Sequence, residues 1–255
     1  MSSLKIAAIQ TTQFWGDIEK NLAHFQSKID AIQEEVDIVL LPEMFSTSFS
    51  MNTDLAENES GKAVSWLLKI SKEKGITVMA TVMIKEEDQF FNRFFVVQSG
   101  SILARYNKRH LFRHAGETDK YTAGDERVII AYNGWKILLQ TCYDLRFPVF
   151  TRNRFEEDAF LYDAVIYLAN WPEKRSYAWS NLLQARAIEN QVFSIGVNRI
   201  GVDGNDITYN GQSASYDPWG NLIWDGKDED KVTIIKWEFQ ELIKLRTTFN
   251  TLLDA

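Results

Sequence analysis

Lys136-Ile137-Leu138-Leu139-Gln140-Thr141-Cys142-Tyr143-Asp144-Leu145-Arg146-Phe147-Pro148 carries an apolar run into the chain's one cysteine and out through a polar turn. The run reads as a buried strand, the turn as an elbow, and residues 147–154 as a helix behind it. An elbow of this kind holds a side chain out at a strand end, close to the N–H groups of a helix start. The helix end is expected to favour thiolate and so lower the thiol pKa. The plainer alternative is a small buried hydrophobe, a common fate of free cysteine. Two further segments share the pattern. Val36-Asp37-Ile38-Val39-Leu40-Leu41-Pro42-Glu43 is a β-branched apolar run stopped by a proline, which leaves Glu43 at a strand's C-terminal edge. Ile102-Leu103-Ala104-Arg105-Tyr106-Asn107-Lys108 hands a strand over to a loop that carries Lys108. Taken singly, Glu43 reads equally as a solvated loop residue and Lys108 as a surface cation. Together, three strands each end on a group capable of chemistry, which is where α/β sheets place their sites.

The rest of the chain supports an α/β fold. Leu4–Gln10 is a strand, and Ile18, Leu22, Phe25, Ile29 and Ile32 recur at helical spacing, predicting a helix over 18–33. Residues 46–60 are polar and irregular, long enough to shape a pocket mouth. A second helix runs from about Val64 to Gly75, followed by strands at 76–84, 93–97 and 102–106. Asn133-Gly134 predicts a tight hairpin between 128–131 and 136–140. A strand at 164–169, a helix at 177–191, a strand at 193–198, hairpins turning at 203–205 and 217–221, a strand at 231–237 and a terminal helix complete the order. No repeat and no Pro/Gly-rich linker divides the chain, so residues 1–255 read as one domain.

Composition narrows the classes of function. Hydrophobic residues make up 45%, enough for a substantial core, and the net charge of −7 comes with no basic cluster to grip nucleic acid. No apolar run approaches the ~20 residues of a membrane span. Met1-Ser2-Ser3-Leu4-Lys5-Ile6 has no signal-peptide layout, and one cysteine excludes an internal disulfide. Both point to a cytoplasmic protein. Eight tryptophans and sixteen phenylalanines leave room for an oligomer interface as well as a ligand pocket.

A carboxylate, an ammonium and a thiol make a workable set for amide hydrolysis. The thiolate attacks, the carboxylate shuttles protons and the ammonium steadies the oxyanion. At this point Leu41-Pro42-Glu43-Met44-Phe45, Asn107-Lys108-Arg109-His110-Leu111-Phe112 and Thr141-Cys142-Tyr143-Asp144-Leu145-Arg146-Phe147-Pro148 resemble the nitrilase superfamily, the carbon–nitrogen hydrolases. Ala169-Asn170-Trp171-Pro172, Ala185–Gln191 and Val197–Gly201 extend the likeness in order along the chain. Pro42–Phe49 and Lys108–Glu117 look most like its omega-amidase branch, which deamidates 2-oxo acids such as 2-oxoglutaramate and 2-oxosuccinamate.

The resemblance implies a four-layer αββα sandwich, commonly paired into a homodimer or higher oligomer, acting on a small-molecule amide with no cofactor and no metal. It implies Cys142 as nucleophile, Glu43 as proton shuttle, and Lys108 with the Tyr143 backbone N–H as oxyanion donors. A second glutamate supports the lysine in this family. Glu117 is the candidate, with Glu126 as the alternative. Trp171 is a candidate pocket wall, set against ordinary core packing. Arg146 is a candidate for a substrate carboxylate, set against pairing with Asp144 or Glu189. The substrate's charge also calls for a basic group at the pocket, from among Arg146, Arg113 and Arg175. Competing readings are an N-carbamoyl hydrolase, a general aliphatic amidase, a catalytically silent binding protein on the same scaffold, and a metal hydrolase using His110 and His114. The last lacks a third acidic ligand. His110 as base for the thiol is a further alternative.

Overall fold

A computed structural model describes residues 3–254. In chain order the strands are β1 (Ser3–Gln10), β2 (Ile38–Leu40), β3 (Thr77–Glu86), β4 (Gln89–Gln98), β5 (Ser101–Asn107), β6 (Ile129–Tyr132), β7 (Trp135–Thr141), β8 (Phe155–Glu156), β9 (Ala159–Phe160), β10 (Ala164–Leu168), β11 (Phe193–Val197), β12 (Ile200–Val202), β13 (Thr208–Asn210), β14 (Ala214–Tyr216), β15 (Leu222–Asp225) and β16 (Lys231–Glu238). The helices are α1 (Ile18–Asp30), α2 (Lys62–Lys74), α3 (Glu117–Lys120), α4 (Pro148–Thr151), α5 (Ser176–Asn190) and α6 (Phe239–Thr248).

Two six-stranded sheets form, in the orders β16-β1-β2-β3-β4-β5 and β15-β14-β11-β10-β7-β6. Their strands are apolar on both faces, and successive side chains alternate between two cores. Leu4, Ile6 and Ala8 of β1 meet Ile137 and Leu139 of β7 and Ile166 and Leu168 of β10 in the core between the sheets. The other face of the first sheet, through Ala7, Ile9 and Val39, packs on Phe25 of α1 and Leu67 of α2. The other face of the second sheet, through Leu138, Val165 and Tyr167, packs on Trp179 and Leu183 of α5. Helix, sheet, sheet, helix is the four-layer αββα sandwich that the motifs imply.

Pairing directions put the chemistry on one edge. β2 runs parallel to β3, and β3, β4 and β5 alternate, so β2 and β5 end on the same side. In the second sheet β10 is parallel to β7, with Leu168 opposite Thr141. Glu43, Lys108, Cys142 and Asn170 each lie just beyond one of these C-terminal ends.

Several expected boundaries move. α1 stops at Asp30, three residues short of the periodic pattern. The helix expected over 147–154 is reduced to α4, and Cys142–Arg146 forms a 3₁₀ turn instead. The cause is Pro148, which pushes Phe147 out of helical geometry (φ −116°, ψ 82°) and separates the two turns. The short β8–β9 hairpin was not legible in the sequence pattern. The Asn133-Gly134 hairpin forms as expected, with both residues at positive φ (49° and 83°).

Candidate active site

Glu43, Lys108 and Glu117 are all fully buried and in contact. The Lys108 Nζ lies 2.9 Å from Glu43 Oε1, and 3.0 and 2.8 Å from the two oxygens of Glu117. Three N–H bonds thus meet three carboxylate oxygens. Asn92, in the middle of β4, donates to Glu43 Oε1 at 2.7 Å, and the Asn170 backbone N–H donates to Glu43 Oε2 at 2.8 Å. The Phe112 backbone N–H donates to Glu117 Oε2, and α3 begins at Glu117 itself. Glu126, the alternative support, is exposed.

Cys142 occupies the elbow in a left-handed conformation (φ 45°), rare for a residue with a Cβ. Its Sγ lies 3.7 Å from the Asn170 carbonyl oxygen. Asp144 holds the elbow in place. Its carboxylate accepts from the Thr141 backbone N–H at 2.9 Å, the Tyr106 hydroxyl at 2.7 Å and the His110 backbone N–H at 2.9 Å. The His110 Nδ1 lies 2.7 Å from the same group, and the His110 ring stacks on Phe147 at 3.8 Å. With Nδ1 held by Asp144 and its ring stacked on Phe147, His110 is not among the residues that line the Cys142 cavity, and His114 is exposed.

Charge in this burial has a clear direction. Burial pushes the Cys142 thiol well above its ordinary pKa, and Glu43 pushes it further, against the opposing pull of Lys108. The resting residue is therefore a thiol. The expectation of a lowered pKa fails because a 3₁₀ turn with a buried sulfur replaces an open helix N-terminus. Burial alone would discharge Lys108, but the Glu117 and Glu43 carboxylates outweigh it and hold the ammonium firmly protonated. Glu117 is raised by burial, partly offset by Lys108. Two carboxylates sharing one ammonium in a dry site explain that direction.

The Cys142 cavity is small, about 70 Å³, and takes in Lys108, Asn170, Phe49, Met51, Phe112 and Arg175. Phe49 and Met51 come from the irregular 46–60 stretch. Asp203, Asn205, Ile207 and Tyr209 close the opposite side. The substrate-binding candidates Tyr143, Trp171 and Arg146 stand outside this lining, as does Arg113. Tyr143 packs its ring on Phe112 at 4.9 Å, and it sits second in the 3₁₀ turn, ahead of the turn's own hydrogen bonds. Trp171 is buried, donating its indole N–H to the Arg175 carbonyl at 2.8 Å. Arg146 lies over the Trp171 ring at 5.0 Å. Its two suggested partners are taken, Asp144 as above and Glu189 by Arg186 at 2.7 Å. Sequence reasoning missed Asn92 and Asp144. The signal for Asn92 was a lone amide in the aromatic strand Phe90-Phe91-Asn92-Arg93-Phe94-Phe95, an unfavourable place for it. Among the described residues no group of three or more His, Cys, Asp or Glu is arranged to hold a metal.

This fold, with this buried edge, defines a class: enzymes that hydrolyse carbon–nitrogen bonds. Residues 5–246 match the model of the Carbon-nitrogen hydrolase family, and the chain belongs to it. The chain is similar to the omega-amidase YafV of Yersinia enterocolitica, with 43% identity over 87% of this chain and 84% of the relative. It is also similar to the 2-oxoglutaramate amidase of Bacillus subtilis, with 30% identity over 94% and 93% of the two chains. Among solved structures, XC1258 of Xanthomonas campestris, a CN-hydrolase superfamily protein with an arsenic adduct in its active site, superposes with a TM-score of 0.97. The two share 36% identity, covering 100% of this chain and 98% of that one.

Proposed function

We propose that the chain is an omega-amidase, releasing ammonia from the terminal amide of short 2-oxo acids such as 2-oxoglutaramate. The observation that carries the chemistry is the buried Glu43–Lys108–Glu117 network beside the Cys142 thiol. The substrate class rests on the YafV and 2-oxoglutaramate amidase relatives. Glu43 takes the thiol proton as Sγ bonds to the amide carbon. The carbonyl electrons move onto oxygen, where Lys108 and the Tyr143 N–H receive the negative charge. Collapse expels the nitrogen, which takes the proton from Glu43 and leaves as ammonia. A water then gives its proton to Glu43 and attacks the thioester, and the returning proton restores the thiol. Glu117 holds Lys108 in position throughout.

The raised thiol pKa makes this proton shuttle necessary, since thiolate exists only as the proton is handed over. A reduced, working thiol fits the cytoplasm, and residues 1–255 form one catalytic domain in this reading. No helix of the described residues is long and apolar enough to cross a membrane. Exposed apolar side chains, among them Tyr177 and Ile188 on α5, support a reading in which copies pair as a homodimer. The test is ammonia release across 2-oxoglutaramate, 2-oxosuccinamate, glutamine, N-carbamoyl amino acids and nitriles. Preference for the first two is expected. Faster turnover of an N-carbamoyl amino acid or a simple aliphatic amide overturns the substrate reading.

A further inference from the structure

A short 2-oxo acid amide brings a carboxylate to a site that already holds two buried glutamates. That charge needs a cation of its own. Lys108 cannot serve twice, because its one positive charge already faces Glu43 and Glu117 and is the charge the developing oxyanion draws on. Of the other basic residues, the Cys142 cavity is lined by Arg175 alone.

We propose that Arg175 is the receptor for the substrate's carboxylate, and so the residue that makes this site select anionic amides over neutral ones. The proposal rests on the 2-oxo acid reading above and assigns the group that enforces it. Among the described residues no carboxylate lies within ion-pair distance of the Arg175 guanidinium. It lies instead over the Phe112 ring at 5.0 Å. A cation–π contact with an aromatic face steadies the guanidinium while leaving its N–H groups without an acidic partner, available for bidentate carboxylate binding. The backbone beneath it is pinned. The Arg175 N–H donates to the Pro172 carbonyl at 2.9 Å, and its own carbonyl receives the Trp171 indole N–H. Arg146, which lies over the Trp171 ring, acts at one remove as a positioning residue. Asp203 is the acidic member of the wall, but it is spent inside its own loop. It accepts from the Asn205 and Ile207 backbone N–H groups at 2.8 and 3.1 Å and from the Tyr209 hydroxyl at 2.9 Å. The cavity's small volume places any ligand seated at Cys142 within a few atoms of these walls, so the receptor also sets substrate length.

The experiment compares kcat/KM for 2-oxoglutaramate and for pentanamide, a neutral amide of equal chain length, in wild type, R175A, R175K and R146A. The ratio of the two values is independent of the fraction of enzyme that folds. One lost charge-assisted contact predicts a fall of roughly 10- to 100-fold in that ratio for R175A, seen chiefly in KM, with pentanamide changed less than about threefold. R175K keeps the charge without the fork and should recover part of the loss. A wild-type ratio retained in R175A overturns the assignment while leaving the substrate reading intact, and its collapse in R146A with retention in R175A transfers the role to Arg146. A wild-type ratio near one overturns the receptor and the 2-oxo acid reading together.

Discussion

Replacing Asp144 with Asn should disable the enzyme without touching a group that meets the substrate. The carboxylate is fully buried and serves the Thr141 N–H, the Tyr106 hydroxyl, the His110 N–H and His110 Nδ1. An amide offers one accepting oxygen in place of two. If that oxygen stays with His110, the new NH₂ faces Thr141 and Tyr106. The Tyr106 hydroxyl can rotate to accept from it, but the Thr141 N–H loses its partner. An unsatisfied buried donor costs about 1–3 kcal/mol, and losing charge assistance on the surviving bonds adds a similar amount, so about 2–4 kcal/mol in all. The elbow itself stores strain, since a non-glycine residue at positive φ costs about 1–3 kcal/mol. The two magnitudes are comparable, so D144N leaves little to hold Cys142 in place. Relaxation of the elbow moves Sγ, and a 1 Å misplacement costs about 100-fold in rate. Urea unfolding should show the lost stability, and kcat/KM for the amide should fall by about that factor. A D144N enzyme with an unchanged unfolding midpoint and kcat/KM within twofold of wild type would refute the role given to this clamp.

C142A and E43Q should each abolish turnover, and E43Q should also make the thiol more acidic, because the Glu43 carboxylate beside it pushes its pKa up. Methylthiolation of Cys142 by methyl methanethiosulfonate, followed by mass spectrometry across pH, should reach half-rate at a lower pH in E43Q than in wild type; an upward displacement counts against the pairing. E117Q should lower kcat/KM by about 10- to 1,000-fold by releasing one anchor of Lys108, and near-wild-type kinetics would remove Glu117 from the site. Stability should fall as pH rises above about 10, because burial raises Tyr106 and Tyr162 above their ordinary value of 10.0. The folded protein then binds more protons than the unfolded chain, so that stabilisation is complete below pH 10 and is lost above it. A urea midpoint that holds steady from pH 9 to 11 contradicts this.

The strands and their order were legible because two-sided burial writes an unbroken apolar run, as in Val36–Leu41 and Lys136–Thr141. Glu43, Lys108 and Cys142 were legible for a related reason: each interrupts such a run at its end, where polarity has no packing explanation. Glu117 needed the family likeness to be singled out, since its sequence neighbours are polar and only the fold buries it. Asn92 reaches Glu43 49 residues away and Asp144 reaches His110 and Tyr106 34 and 38 residues away, and no local pattern carries those contacts, although the Thr141–Asp144 bond is local. Arg175 and Arg146 differ only in which aromatic ring each lies over, Phe112 or Trp171. That is a property of packing that spacing does not encode. The raised thiol pKa was misread because the sequence predicted a helix where Pro148 allows only two short turns.

The reacting groups belong to different sheets. Glu43 and Lys108 extend one sheet, Cys142 and Asn170 the other, and the layer between them is a dry aliphatic and aromatic core. The site therefore acts as a vernier on the relative slide of two rigid plates, with the Asn170-to-Glu43 and Tyr106-to-Asp144 bonds as its rivets. Trimming a side chain deep in that layer, such as Ile166 or Leu139, alters no group near the pocket yet lets the plates settle into a new offset. Turnover then becomes a finer gauge of interior packing than any melting curve, failing on warming while both sheets are still intact.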